Sequence, residues 1–302
     1  MKIAVCLYGH LRTYEHCYKA LRENLLDRYD CDVFMHTWST IDHTTSVSWH
    51  GGEMANNVST IDRKDEIIQK YGLKDIIIEE QEKKEKEYGY YYFDIPKPRP
   101  VWSFHCLWHA IESVNRLREN YQKEHNITYD YVVFTRPDVL FKEPFEIDKY
   151  IGDLEKDVLA KSYFSYTSYC NNTTRINDLR HTGGNDIFFF AAPEIISNII
   201  VHKKDILSHI KDGVTLTRTP ESYVFELTQK LGYTNWFICF RPGKNVDILR
   251  EKDIQKLTPE KKEPVKISRY QKHKEKLKTY LKGAIKIPEE IVSVLWYWLK
   301  NK

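Results

Sequence analysis

Hydrophobic positions follow two alternating rhythms along the chain. Short continuous apolar runs, of the kind that fill strands buried on both faces, alternate with stretches whose apolar residues recur at three and four. Lys2 to Tyr8 (KIAVCLY) predicts a buried first strand. After Gly9-His10-Leu11-Arg12 a helix is expected, capped by Thr13 and carrying Tyr18, Leu21 and Leu25 on its apolar face. Cys31 to His36 and Asp75 to Ile78 predict the second and third strands, in strand-helix-strand units of Rossmann-like spacing. The strongest helical period covers Val101 to Lys123, with Phe104, Leu107, Trp108, Ile111, Val114 and Leu117 on one face and Ser103 as its cap. Tyr129 to Thr135 predicts the next strand, terminated by Arg136-Pro137-Asp138. Further strands are expected at Val158 to Ser162, Asp186 to Ala192 and, last, Asn235 to Phe240, with a helix from near Pro220 to Gly232. Together these elements predict an α/β fold with a mostly parallel sheet flanked by helices.

Two segments break the rhythm. Thr40 to Asn57 is polar and too long for a simple connection, as expected of a functional loop over the sheet edge. Gln81 to Pro100 reads as a second irregular insertion, charged at first and then Tyr-rich.

With 302 residues, 41% of them hydrophobic, the chain can bury a full core as one large domain or two closely packed ones, and disorder is excluded. The six cysteines, Cys6, Cys17, Cys31, Cys106, Cys170 and Cys239, form no CxxC pair, which argues against zinc and against a disulfide framework. The first residues lack the long apolar run and cleavage site of a signal peptide, which predicts a cytoplasmic protein. No stretch approaches the roughly 20 apolar residues of a membrane span. The charge is uneven: Glu260 to Lys302 holds twelve Lys/Arg against five Asp/Glu, and the rest of the chain is net negative. This divides the chain into a domain over 1–259 and a basic amphipathic helical tail over 260–302. Lysines beside Trp296 and Trp298 suit either an anionic inner leaflet or a helix packed on protein. No RRM, KH, helix-turn-helix or finger pattern supports nucleic-acid binding.

The sharpest chemical feature is Arg136-Pro137-Asp138. Proline ends the strand and leaves a cation and a carboxylate at the carboxyl rim, where open α/β sheets place ligands. The same pair would also serve as a structural ion pair. Asp186 follows Gly183-Gly184-Asn185 at the start of another apolar strand, either at the mouth of the same sheet or as a turn cap. Glu221, after Pro220, suits a helix start as well as a site. Gly9-His10-Leu11-Arg12 lies between a strand and a helix, a geometry that binds phosphate, and Arg12 could grip a diphosphate bidentately. It matches neither GxGxxG nor the Walker pattern. Trp38 offers an aromatic face for a base or sugar, or a core side chain. His105 and His109, four apart on the strong helix, imply no third ligand and are read as packing.

The order GHLRTYEHCYKALRENLL, CDVFMHTW, VWSFHCLWHAIESVNRL, YDYVVFTRPDVLF, NDIFFFAAPE, TPESYVFELTQKLG resembles a group of bacterial and viral glycosyltransferases linked to capsule or surface-polysaccharide synthesis, over about residues 2–242. The resemblance implies a GT-A-like fold, with an RxDxxF segment where ordinary nucleotide-sugar transferases carry DxD. It implies a UDP- or GDP-sugar donor and a glycan or lipid-linked glycan acceptor, met at the inner membrane face. By the same resemblance, Asp138 faces the donor diphosphate directly or through Mg²⁺ or Mn²⁺. Arg136 stands at the position of the other DxD acid, where it could instead neutralise the diphosphate without metal. Gly9, His10 and Arg12 frame the nucleotide. Asp186 and Glu221 lie near the acceptor, Asp186 being favoured as the base of an inverting transfer. The rival expectations are a non-catalytic carbohydrate-binding protein that keeps the fold, and a sulfo- or phosphotransferase using Arg12.

Overall fold

The computed structural model describes residues 1–43, 59–89, 100–151, 163–167, 174–175, 186–211, 227–228, 230–238, 240, 242–251 and 253–254. They belong to the first of two units, Met1–Gln255; the second, Lys256–Lys302, lies outside the described residues, and with it the expected helical tail.

Strand β1 (Lys2–Tyr8) sits inside a sheet because both of its faces are apolar. It pairs in parallel with β2 (Asp30–Trp38), and β2 pairs in parallel with β3 (Leu73–Glu79). Helix α1 (Tyr14–Asn24) connects the first two strands and α2 (Lys64–Tyr71) leads into the third. The chain then passes through α3 (Gln81–Tyr88) and the long α4 (Val101–Glu124) to β4 (Tyr131–Thr135), which pairs in parallel with the free side of β1. Beyond β4 come β5 (Val139–Phe141), α5 (Ile147–Ile151), β6 (Tyr163–Thr167), β7 (Thr174–Arg175), β8 (Phe188–Ala191), α6 (Pro193–Lys211), β9 (Thr234–Ile238) and β10 (Val246–Ile248). The main sheet has the order β3-β2-β1-β4-β8-β6-β9-β7, with β8 antiparallel to β4, and β10 pairs antiparallel with β5 in a small second sheet. This α/β architecture, parallel in its first four strands and flanked by helices, is compatible with a Rossmann-like fold.

Alternation along β1 divides the core. Ala4, Cys6 and Tyr8 join Phe34, Phe134 and the α4 face of Phe104, Trp108, Ile111 and Val114. Ile3, Val5 and Leu7 join Leu21, Leu25, Val133 and Phe188 on the side of α1 and α2. A strand covered on both faces has no polar-out positions, hence its unbroken apolar run.

Several expectations shift in detail. Thr13 precedes α1 but makes no capping bond; its hydroxyl donates instead to the Leu249 carbonyl at 2.7 Å. Ser103 lies inside α4, donating to the Pro100 carbonyl at 2.8 Å. The charged stretch after Gln81 is helical: Lys86 pairs with Glu82 and Lys84 with Glu87, while Gln81 and Glu85 are buried. The expected last strand is followed by β10, where Asp247 interrupts the apolar run. The expected strand at 158–162 and the first part of the helix from Pro220 lie outside the described residues.

Candidate functional site

The order β3-β2-β1-β4 fixes where a ligand crevice belongs. The chain moves from β1 toward β2 and β3, then returns to place β4 on the opposite side of β1. Between the carboxyl ends of β1 and β4 the connections diverge, and open α/β sheets bind ligands there. Five segments converge on this rim: 9–13 after β1, 41–43 after β2, 136–138 after β4, Asp186 before β8, and Leu249-Arg250 after β10. Asp186 reaches it because β8 is antiparallel to β4, with Phe188 opposite Thr135. Arg250 reaches it because the Leu249 amide donates to the Asp138 carbonyl at 2.8 Å.

Asp138 is the centre of the cluster, with no exposed side-chain surface. Arg136 grips it bidentately, Nε to Oδ1 at 2.8 Å and Nη2 to Oδ2 at 2.7 Å. Arg12 donates from Nη1 to Oδ2 at 2.9 Å, and Arg250 Nη1 lies 3.6 Å from the same oxygen. Burial alone would raise the Asp138 carboxyl; Arg136 and then Arg12 outweigh it and hold the group well below the usual carboxylate range. Arg12 also donates from Nε to Asp42 Oδ1 at 2.9 Å, and its Nη2 lies 2.8 Å from His43 Nε2. Its backbone is left-handed, with φ 44°, held by a 2.9 Å bond from its amide to the Ile41 carbonyl. For a non-glycine residue that conformation costs about 1–2 kcal/mol, a strain found where a side chain must be aimed.

Cations crowd here. Burial, then Arg12 and Arg136, push the Arg250 guanidinium down to about 10. Burial, then Arg12, push the His43 imidazole down to about 4. Asp186 moves the other way: burial raises its carboxyl despite the nearby Arg136. Its backbone carbonyl accepts the Tyr8 hydroxyl. Burial and the crowding of Arg12, Arg136 and Arg250 together lower Arg250, so an anion placed among these guanidiniums is favoured.

Of the residues singled out from sequence, the structure brings together Arg12, Arg136, Asp138 and Asp186, and Gly9, at φ 92°, turns the chain into the cluster. His10 lies against the cluster, its ring edge-on to His43 at 4.4 Å, and Trp38 is packed away from it. His10 is buried between Gln81 Oε1 at 2.7 Å and the Thr40 carbonyl at 3.2 Å. Trp38 is buried in the α4-side core, which matches its packing alternative. Glu221 lies outside the described residues. Asp42, His43 and Arg250 had no individual signal, although the first two open the polar loop read as functional. The Asp138 position does not suit Mg²⁺ or Mn²⁺: both its oxygens accept guanidinium hydrogens and it is sealed from solvent, so a divalent cation would enter among three positive charges.

A second cluster lies on the α4 side at the ends of β2 and β3. Glu79 Oε2 lies 2.9 Å from His36 Nε2 and 2.6 Å from His109 Nε2. The His36 and His109 bonds outweigh partial burial and bring the Glu79 carboxyl down to about 2, and burial lowers the His36 imidazole. Packing therefore does not describe His109, because the end of β3 carries a carboxylate to it. His105 does pack, stacking on Tyr88 at 4.6 Å. The missed signal was Glu79, one residue beyond the expected end of β3.

No protein-family model matches the chain, and no curated protein matches it. Among the described residues no helix is long and apolar enough to cross a membrane.

Proposed function

We propose that the arginine-lined rim between β1 and β4 binds the diphosphate of a nucleotide-sugar, and that the protein is a GT-A-like glycosyltransferase. The observation that carries the reading is the convergence of Arg12, Arg136 and Arg250 on a buried Asp138 at the topological switch point. Asp138 fixes the forks rather than facing the ligand, so the guanidinium hydrogens it leaves free are pre-aimed, and planar forks match phosphate oxygens. An anion also relieves the repulsion from Arg12 and Arg136 that, after burial, lowers Arg250. The arginines supply the diphosphate's counter-charge, so the reading requires no cation at Asp138.

In this reading Asp186 acts as base on the acceptor. As the acceptor oxygen attacks the anomeric carbon, its proton passes to the Asp186 carboxylate. The bond from that carbon to the diphosphate oxygen breaks, and its electron pair leaves on a phosphate held by the guanidiniums. A carboxyl raised by burial is a better base than an exposed one. The sequence resemblance points to a surface-glycan acceptor of capsule or lipopolysaccharide type, and with it to work at the inner membrane face.

The test is a thermal-shift and hydrolysis screen of the full chain against UDP-, GDP- and CMP-sugars. One donor is expected to stabilise the wild type and to be slowly hydrolysed. Asp186→Asn should keep the stabilisation and lose turnover, and Arg250→Gln should lose both. Stabilisation by a sugar nucleotide with no turnover and no glycan product would replace the enzyme by a binding protein. No response from folded protein would remove the donor assignment altogether.

A further inference from the structure

Two imidazoles and one carboxylate from three different elements meet at the carboxyl ends of β2 and β3. His36 comes from β2, Glu79 from the last position of β3 and His109 from the third turn of α4. Their ligand atoms all lie within 4.8 Å of one another. Both rings aim Nε2 at the same oxygen, Glu79 Oε2, at 2.9 Å and 2.6 Å. Three ligand atoms this close together can surround one ion.

We propose that His36, Glu79 and His109 bind one divalent transition-metal ion of the Zn²⁺ class. Imidazole and carboxylate together suit Zn²⁺, Co²⁺ or Fe²⁺, and two imidazoles disfavour Mg²⁺ and Ca²⁺. Metal-ligand bonds of about 2.0–2.2 Å in a tetrahedron separate neighbouring ligands by about 3.3 Å. The two short contacts therefore open by roughly half an ångström as the ion replaces the shared hydrogens. The ion takes the Nε2 lone pairs, so each ring carries its proton on Nδ1. For His36 that exchange gives up the bond from Nε2 to Glu79 and leaves the proton on a buried Nδ1 without a hydrogen-bond partner, a cost that the metal–ligand bonds must outweigh.

Exposure grades across the cluster. His36 is fully buried, whereas 14% of the His109 side chain and 30% of the Glu79 side chain are open to solvent. Three protein ligands with one side open match a site that keeps a position for water or a substrate oxygen, whereas closed structural sites supply four. Trp38 backs the cluster, edge-on to His36 at 4.8 Å and stacked on His109 at 6.2 Å, and restricts both rings. The assignment stands without the donor reading, because none of the three residues belongs to the arginine cluster.

Its test is direct titration of the chelator-treated full chain with Zn²⁺ by calorimetry, and with Co²⁺ followed by its visible absorption. Because His36 is fully buried, the variants are the more open His109→Ala and Glu79→Gln, each checked for folding by circular dichroism. One equivalent is expected to bind the wild type and to raise its melting temperature. His109→Ala should weaken binding by 100-fold or more and Glu79→Gln by at least 10-fold, and the Co²⁺ spectrum should carry no thiolate charge-transfer band. Absence of stoichiometric binding, binding unchanged in both folded variants, or a thiolate spectrum would overturn the proposal and leave a hydrogen-bonded cluster.

Discussion

Replacing Asp138 by Asn removes one charge and almost no volume, so its effect isolates the electrostatics of the rim. In the wild type the buried carboxylate takes two bonds from Arg136 and one from Arg12, with Arg250 3.6 Å away. The amide can accept at one atom only and presents hydrogens at the other, facing guanidinium donors. Breaking a buried ion pair by removing one partner costs about 3–5 kcal/mol, because the surviving charge is left uncompensated. For a unit of this size each kcal/mol is worth about 2–4 °C, so Asp138→Asn should lower the melting temperature by about 6–20 °C. The folded carboxyl is held below its unfolded value of about 3.9, so its contribution is complete above that value and is lost as pH falls toward the folded one. The deficit should therefore be flat from about pH 5 to 8 and shrink only below about pH 4. Pyrophosphate should restore part of it, since an anion at the rim replaces the missing counter-charge. Calorimetry across that range with and without pyrophosphate decides. A loss below about 2 °C, or a deficit that grows toward low pH, would refute the reasoning.

Three other changes test the scaffold. Burial raises the Glu85 carboxyl to about 7, so between about pH 4.5 and 7 the unfolded chain releases a proton that the folded chain keeps, and stability falls as pH rises. Glu85→Gln should remove that slope and add about 1–2 kcal/mol at pH 8, read from urea unfolding at both ends of the range. Phe189 stacks on Phe134 at 4.9 Å in the α4-side core, so Phe189→Ala should cost about 3–5 kcal/mol, and a loss under 1 kcal/mol would mean the site collapses around the gap. Gly72 ends α2 at φ 64° with open space where a Cβ would go, so Gly72→Ala should cost only the left-handed backbone penalty of about 1 kcal/mol; a loss above 2 kcal/mol would contradict that space.

Where an element announces itself by what it buries, the sequence was legible. The strands β1, β4 and β8 are continuous apolar runs because both faces are covered, and α4 shows its period because one face packs on the sheet. The rim was half legible for the same reason. Arg136 and Asp138 stand out because Pro137 stops a buried strand, and Arg12 because it sits between the first strand and the first helix. Asp42, His43 and Arg250 did not, since only the loop after β2 and the three-residue β10 bring them in, and neither has a periodicity of its own. Glu79 was invisible as a partner of His36 and His109 because those residues share no sequence spacing; the register of β2 on β3, with Trp38 opposite Glu79, creates the neighbourhood. Trp38 shows the converse: an aromatic at a strand end suits a ligand or a core equally until its burial is known.

Equilibrium titration of UDP and GDP into the chelator-treated full chain, at low and moderate ionic strength, tests the central claim most directly. The account predicts that one nucleoside diphosphate binds without added metal, that binding weakens with salt, and that Arg12→Gln and Arg250→Gln each reduce it at least 10-fold while the proteins stay folded. Binding of neither nucleotide to folded wild type, or binding unchanged in both variants, would contradict it.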